Sequence, residues 1–108
     1  DIDQIKLPRH PNFKSDHFDV YQNFEIRCKN RNKLKDFLYS NGVGTLIQWG
    51  GKAIHQWDIF NFNQNLKNAD NFFNECLMLP MNVFINESDI QYISDLIRKF
   101  YTNKVETK

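Results

Sequence analysis

Hydrophobic positions along the chain change period several times, and each change marks an element. From Phe18 the period is two. Phe18, Val20, Phe24, Ile26 and Cys28 fall on one face while Asp19, Tyr21, Asn23, Glu25, Arg27 and Lys29 fall on the other, with Gln22 the one polar residue on the apolar side. Strand side chains alternate between faces, so this spacing predicts a long half-buried strand. Further on, Leu34, Phe37 and Leu38 are spaced for one face of a helix, with Arg31, Lys33, Lys35 and Asp36 toward solvent. Asn30 is of the type that caps such a helix. Asn41-Gly42 ends it, since these residues adopt the left-handed conformation that releases a chain from its last turn.

Thr45, Leu46 and Ile47 favour a second strand over about residues 43–48. An Asn-rich stretch without period then continues to Leu66, and connections of about twenty residues are commonly functional. Helical spacing returns at Ala69, Phe72, Phe73, Cys76 and Leu77, which predicts a second helix with both phenylalanines in its core stripe. Leu77-Met78-Leu79-Pro80-Met81 reads as a brief strand at a sheet edge, where a residue without an N–H is tolerated. A last helix opens at Asn86, with Asp89 near the third position, where a carboxylate also complements the helix dipole. Its stripe is Ile90, Ile93, Leu96, Ile97 and Phe100. Residues 1–16 hold two of the three prolines and little periodicity, so they read as an extended lead-in rather than a regular element; 103–108 read as a polar tail. The order strand, helix, strand, long loop, helix, short strand, helix predicts an α+β fold, a small sheet of about three strands with helices packed on one face.

At 108 residues the chain suits one domain with one core. Its 41% hydrophobic and 25% charged residues are ordinary for a globule, and ten Phe make the aromatic share high. The net charge of +1 comes from interspersed acids and bases, so no field draws a polyanion and nucleic acid is not favoured. Cys28 and Cys76 sit inside apolar patterns, far from any CxxC or CxxH spacing, and read as buried free thiols. His10, His17 and His55 lack the pairing that a metal site needs, so no metal is expected. No apolar run approaches the ~20 residues that span a bilayer, and the N-terminus lacks the layout of a signal peptide. These features point to a cytoplasmic protein with no membrane partner. The chain begins at Asp1 rather than Met, from which we expect a piece of a longer polypeptide.

Candidate chemistry concentrates in residues 41–57, NGVGTLIQWGGKAIHQW. Gly50-Gly51 lets the backbone turn, or approach a ligand closely, without a Cβ penalty. Gln48, Trp49, Lys52, His55 and Gln56 are the candidate binding residues, bracketed by Trp57. Each also has a plainer reading. A lysine near aromatics can form an imine, contact a phosphate, or simply be solvated. His55 can orient a hydroxyl or only bond nearby backbone, and Trp49 can stack on a ligand or pack on another domain.

Arg31, Leu34, Leu38, Gly42, Val43, Gly44 and Thr45, then Trp49, His55 and Gln56, then Leu77, Leu79, Pro80, Met81, Phe100 and Tyr101 follow one another in a familiar order and spacing. Over about residues 5–102 this pattern resembles the C-terminal domain of the DegT/DnrJ/EryC1/StrS aminotransferases. The resemblance implies the small domain of a fold-type I pyridoxal-phosphate enzyme. Such an enzyme moves an amino group, commonly from glutamate, onto a nucleotide-linked keto-sugar in amino-sugar and surface polysaccharide biosynthesis. It also implies that the cofactor's lysine, its phosphate contacts and the carboxylate facing its pyridine nitrogen lie in an N-terminal large domain absent from these residues. This chain alone is then expected to hold no catalytic or cofactor-binding residue and to be inactive, its partners being the large domain, a homodimer mate and the nucleotide sugar. Residues 1–16 become the lead-in from that domain and 17–102 the small domain. Gln48, Trp49, Lys52, His55 and Gln56 become substrate-side contacts. Gln48-Trp49-Gly50 stands where many members carry His-Tyr-Pro, a departure that bears on sugar preference. The rival reading, from another class, is a stand-alone α+β module for a peptide or single-stranded RNA. Against it, the basic residues do not cluster around the aromatics.

Overall fold

A computed structural model describes residues 2–12, 14, 16 and 18–102. Three antiparallel strands stand in the order β1 (Ile5–Lys6), β2 (Phe24–Cys28), β3 (Cys76–Leu79). Three helices accompany them: α1 (Arg31–Ser40), α2 (Lys67–Glu75) and α3 (Glu87–Thr102). This is the α+β architecture that the pattern predicts. Ile26 pairs with Leu77, and directly opposite residues share a face, so both turn inward and both are fully buried. Over them α1 brings Leu34 and Leu38, and α3 brings Ile93, Leu96, Ile97, Phe100 and Tyr101. Leu34 and Leu38 have no exposed surface, so each stabilises the fold by about 1.5–3 kcal/mol relative to solvent. Two tyrosine hydroxyls fix α3 lengthwise: Tyr101 donates to the Lys29 carbonyl at 2.7 Å and Tyr92 to that of Asn41 at 2.9 Å.

The helix ends follow local chemistry. At α3, Asn86 Oδ1 accepts from the Asp89 N–H and Asp89 Oδ2 accepts from the Asn86 N–H, each at 3.0 Å, the reciprocal cap expected there. At α1 the stop falls where expected, with Gly42 at φ +79° and its N–H on the Tyr39 carbonyl. Asn30 precedes α1 but makes no side-chain cap. It stands at φ 57°, a left-handed conformation that asparagine tolerates, and its carbonyl accepts from Leu34 instead.

Several expectations need correction. The first long strand is confined to Phe24–Cys28, and Phe18 and Val20 are exposed. Its partner explains this: Phe24 pairs with Leu79, and the next residue, Pro80, has no N–H to extend the ladder. The strand expected over 43–48 is a single bridge, Leu46 with Met78. Residues facing outward from β3 alternate, so the neighbouring positions are Cys76 and Pro80; the Cys76 carbonyl is already taken by Arg31 Nη1 at 3.0 Å, and Pro80 again cannot donate. Within the lead-in, Ile5 and Lys6 form β1 against Cys28 and Arg27. Two residues are too few to show a period. The second helix ends at Glu75, and Cys76 and Leu77 are buried as strand residues rather than helical ones. No side chain of α2 is fully buried; Phe72 and Phe73 are half-exposed, ring against ring edge-on at 5.3 Å. Ile90 is exposed at the rim of the α3 stripe, whereas Tyr101 joins the core.

Cys28 and Cys76 are buried and free. Cys76 pairs with Arg27, so it faces the opposite side of the sheet from Cys28. Among the described residues no group of three or more His, Cys, Asp or Glu is placed to hold a metal, and no helix is long and apolar enough to cross a membrane. His17 and the tail 103–108 lie outside the described residues.

Candidate functional site

Beyond the Leu46 bridge the chain leaves the sheet edge and turns three times in short 3-10 segments, Gln48–Gly51, Ile54–Gln56 and Asp58–Phe60. The first turn is unusual. Trp49, Gly50 and Gly51 stand at φ 54°, 66° and 74°, three consecutive left-handed residues of which only two are glycines. The backbone at φ +74° favours glycine at position 51, and a Cβ there would also press within 3.1 Å of Ile47 Cγ2. A bulky residue at positive φ is strained, and such strain gathers at functional sites. Trp49 is 71% exposed. Its indole N–H reaches the Gln48 side-chain oxygen at 3.2 Å, while the Gln48 amide nitrogen donates to Glu25 Oε2 at 3.0 Å, the amide orientation that satisfies both neighbours. Partial burial against this turn pushes the Glu25 carboxyl above its ordinary range.

The second turn is organised from below. Asp70, in the first turn of α2, accepts with a single oxygen from His55 Nε2 at 2.7 Å and from Gln56 Nε2 at 2.5 Å. Gln56 Oε1 in turn accepts from the Ala53 N–H at 2.9 Å. The His55 side chain is only 8% exposed. Above this knot, Lys52 Nζ lies 5.6 Å from the centre of the Trp57 ring, and Ile54, Ile59 and Phe60 are exposed around it. The five predicted site residues therefore share one loop but not one orientation. Trp49 and Lys52 face outward, whereas Gln48, His55 and Gln56 are hydrogen-bonded to acids of the domain body.

Glu25 and Asp70 were not among the sequence candidates. Glu25 lay on the polar face of a strand and Asp70 in the first turn of a helix, positions where an acid has an ordinary explanation. The adjacent His55-Gln56 pair was the one signal that an acceptor was needed beneath the loop.

A cavity of about 720 Å³ lies elsewhere, between the strands and α3. Ile5, Phe24, Leu79 and Ile93 line it, its charged members are Asp3 and Arg98, and it contains no lysine. Lys52 itself is exposed. Neither place brings a lysine amine together with a phosphate cradle, the features that pyridoxal phosphate requires, so the residues described do not fit that cofactor.

The sequence model of the DegT/DnrJ/EryC1/StrS aminotransferase family matches residues 2–98. The chain belongs to this family. Among solved structures it is similar to a DegT DnrJ EryC1 StrS aminotransferase from Brucella abortus (24% identity, TM-score 0.76), covering 92% of this chain and 26% of that one. The aminotransferase TlmJ from Streptoalloteichus hindustanus is similar at 22% identity and TM-score 0.76, covering 91% and 26%. DesV from S. venezuelae, solved in complex with a ketimine intermediate, is similar at 20% identity and TM-score 0.77, covering 93% and 27%. At such identities the likeness carries the fold. The chain spans about a quarter of the length of these aminotransferases. No curated protein sequence matches it.

Proposed function

We propose that this chain is the C-terminal domain of a cytoplasmic, pyridoxal-phosphate-dependent aminotransferase that aminates a nucleotide-linked keto-sugar for amino-sugar or surface polysaccharide synthesis. The observation that carries this reading is the family match across residues 2–98 in a chain only a quarter as long as its structural relatives. The lysine that binds the cofactor then belongs to the large domain, and the domain described here is inactive alone. Its loop faces the substrate side of the cleft. Trp49 offers an exposed ring to a sugar or base face and Lys52 a charge to a phosphate, with Gln48, His55 and Gln56 completing the same contact region.

The test is a complete polypeptide carrying this domain, supplied with pyridoxal phosphate, glutamate and a panel of nucleotide-linked keto-sugars. Mass spectrometry should find one sugar gaining an amino group in a reaction that consumes glutamate. Amination of none of the panel, with a simple keto acid accepted instead, would discard the sugar substrate.

A further inference from the structure

Loop residues 48–66 carry long-range side-chain anchors at two places, Gln48 on Glu25 and the His55–Gln56 pair on Asp70. The second is the tighter. One carboxylate oxygen, on a residue fifteen positions further along the chain, receives two side-chain donors, and one of them passes the connection on to the Ala53 backbone. Ala53 is buried and directly follows Lys52, while Trp57 directly follows Gln56. Asp70 therefore sets the height and direction of the segment that carries Lys52 and Trp57. A carboxylate that only complemented the dipole of α2 would need neither donor.

We propose that Asp70 is a positioning residue of the substrate loop, acting through His55 and Gln56 and touching neither sugar nor cofactor. This rests on the reading of the loop as the substrate side of an aminotransferase. A charge-assisted acceptor shared by two donors fixes the His55 ring in the tautomer with hydrogen on Nε2 and leaves Nδ1 as the ring's remaining acceptor. Displacing such a loop by about 1 Å costs an enzyme rate at the substrate it positions, on the order of tenfold to a hundredfold.

The experiment compares Asp70→Ala with Asp70→Asn, which keeps an oxygen acceptor. In the complete polypeptide, the two half-reactions are followed separately in single turnovers. Asp70→Ala should slow the sugar half-reaction at limiting sugar by roughly tenfold or more, leave the glutamate half-reaction within about twofold, and be largely rescued by Asn. Equal loss in both half-reactions, no loss in either, or an Asn variant no better than Ala overturns the proposal. In the 108-residue chain, nitrogen NMR of the His55 ring should show a single Nε2–H tautomer that becomes a mixture in Asp70→Ala, with Trp fluorescence more open to quenching. An unchanged tautomer and unchanged quenching also overturn it. If the unsubstituted polypeptide has no sugar half-reaction at all, the function reading fails by itself, and the NMR comparison decides whether Asp70 holds the loop.

Discussion

Trp49 and Gly51 occupy the same kind of backbone, yet opposite outcomes are expected from changing them. An L-residue in the left-handed region costs about 1–2 kcal/mol, while a glycine there costs the unfolded chain about 0.5–1 kcal/mol of extra freedom. Trp49→Gly should thus leave stability unchanged or raise it by up to about 1 kcal/mol, because the exposed ring contributes little burial. Gly51→Ala adds a Cβ at φ +74° within 3.1 Å of Ile47 and should cost about 1–3 kcal/mol. Denaturant melts check both, and a loss above about 1 kcal/mol for Trp49→Gly would make the ring a packing residue. Buried thiols give a further expectation at this scale. Burial pushes the Cys28 thiol up to about 11 and raises that of Cys76, so neither should react with a thiol reagent at about pH 8 until the chain unfolds. Glu25 supplies the pH dependence. Its folded value is raised above the ordinary 4.5, so its contribution favours folding most when protonated and is lost as pH rises through the raised value. Glu25→Gln, which keeps an acceptor for Gln48, should flatten the stability profile between the ordinary value and the raised one. At this scale the turn at the glycine pair, and the sharing of one loop by the candidate residues, were legible in the sequence. Their orientation was not, because it depends on two acids that only the folded chain brings beneath the loop.

At the scale of elements, depth of burial ranks the helices. Leu38→Ala on α1 removes a side chain with no exposed surface and should cost about 2–5 kcal/mol. Phe72→Ala on α2 removes a half-exposed ring and should cost less, about 1–2 kcal/mol. Equal losses would mean that α2 packs as deeply as α1. Helical periodicity found α1, α2 and α3, since even about two and a half turns repeat the signal, and the reciprocal cap of Asn86 and Asp89 was legible as spacing alone. It overran at the junction of α2 and β3 because Cys76 and Leu77 satisfy both the helical stripe and a buried strand. Strands fared differently. The alternation from Phe18 to Cys28 is real in the sequence, but a strand is as long as its partner allows, and Pro80 shortens the partner. The same proline, with Arg31 on the Cys76 carbonyl, reduces the expected second strand to one bridge. Neither limit is local to the segment that it shortens.

For the whole molecule, the decisive quantity is how much of an aminotransferase these residues amount to. The described residues make a core and, among their exposed loops, the one that carries Lys52, which stands over the Trp57 ring and is open to solvent. An amine open to solvent lacks the desolvated pocket that activates a lysine for imine formation. Pyridoxal phosphate and glutamate added to the 108-residue chain should therefore give no turnover. Borohydride reduction followed by peptide mapping should find at most scattered labelling of surface lysines, with Lys52 no more labelled than Lys33 or Lys35. In the complete polypeptide the same treatment should label one lysine stoichiometrically, outside the segment described here, and Lys52→Ala should leave that labelling intact while weakening the sugar half-reaction. Stoichiometric trapping at Lys52 would move the amine chemistry into this domain. Its loop would then be the catalytic centre, and the proposal that it only faces the substrate would have to be withdrawn.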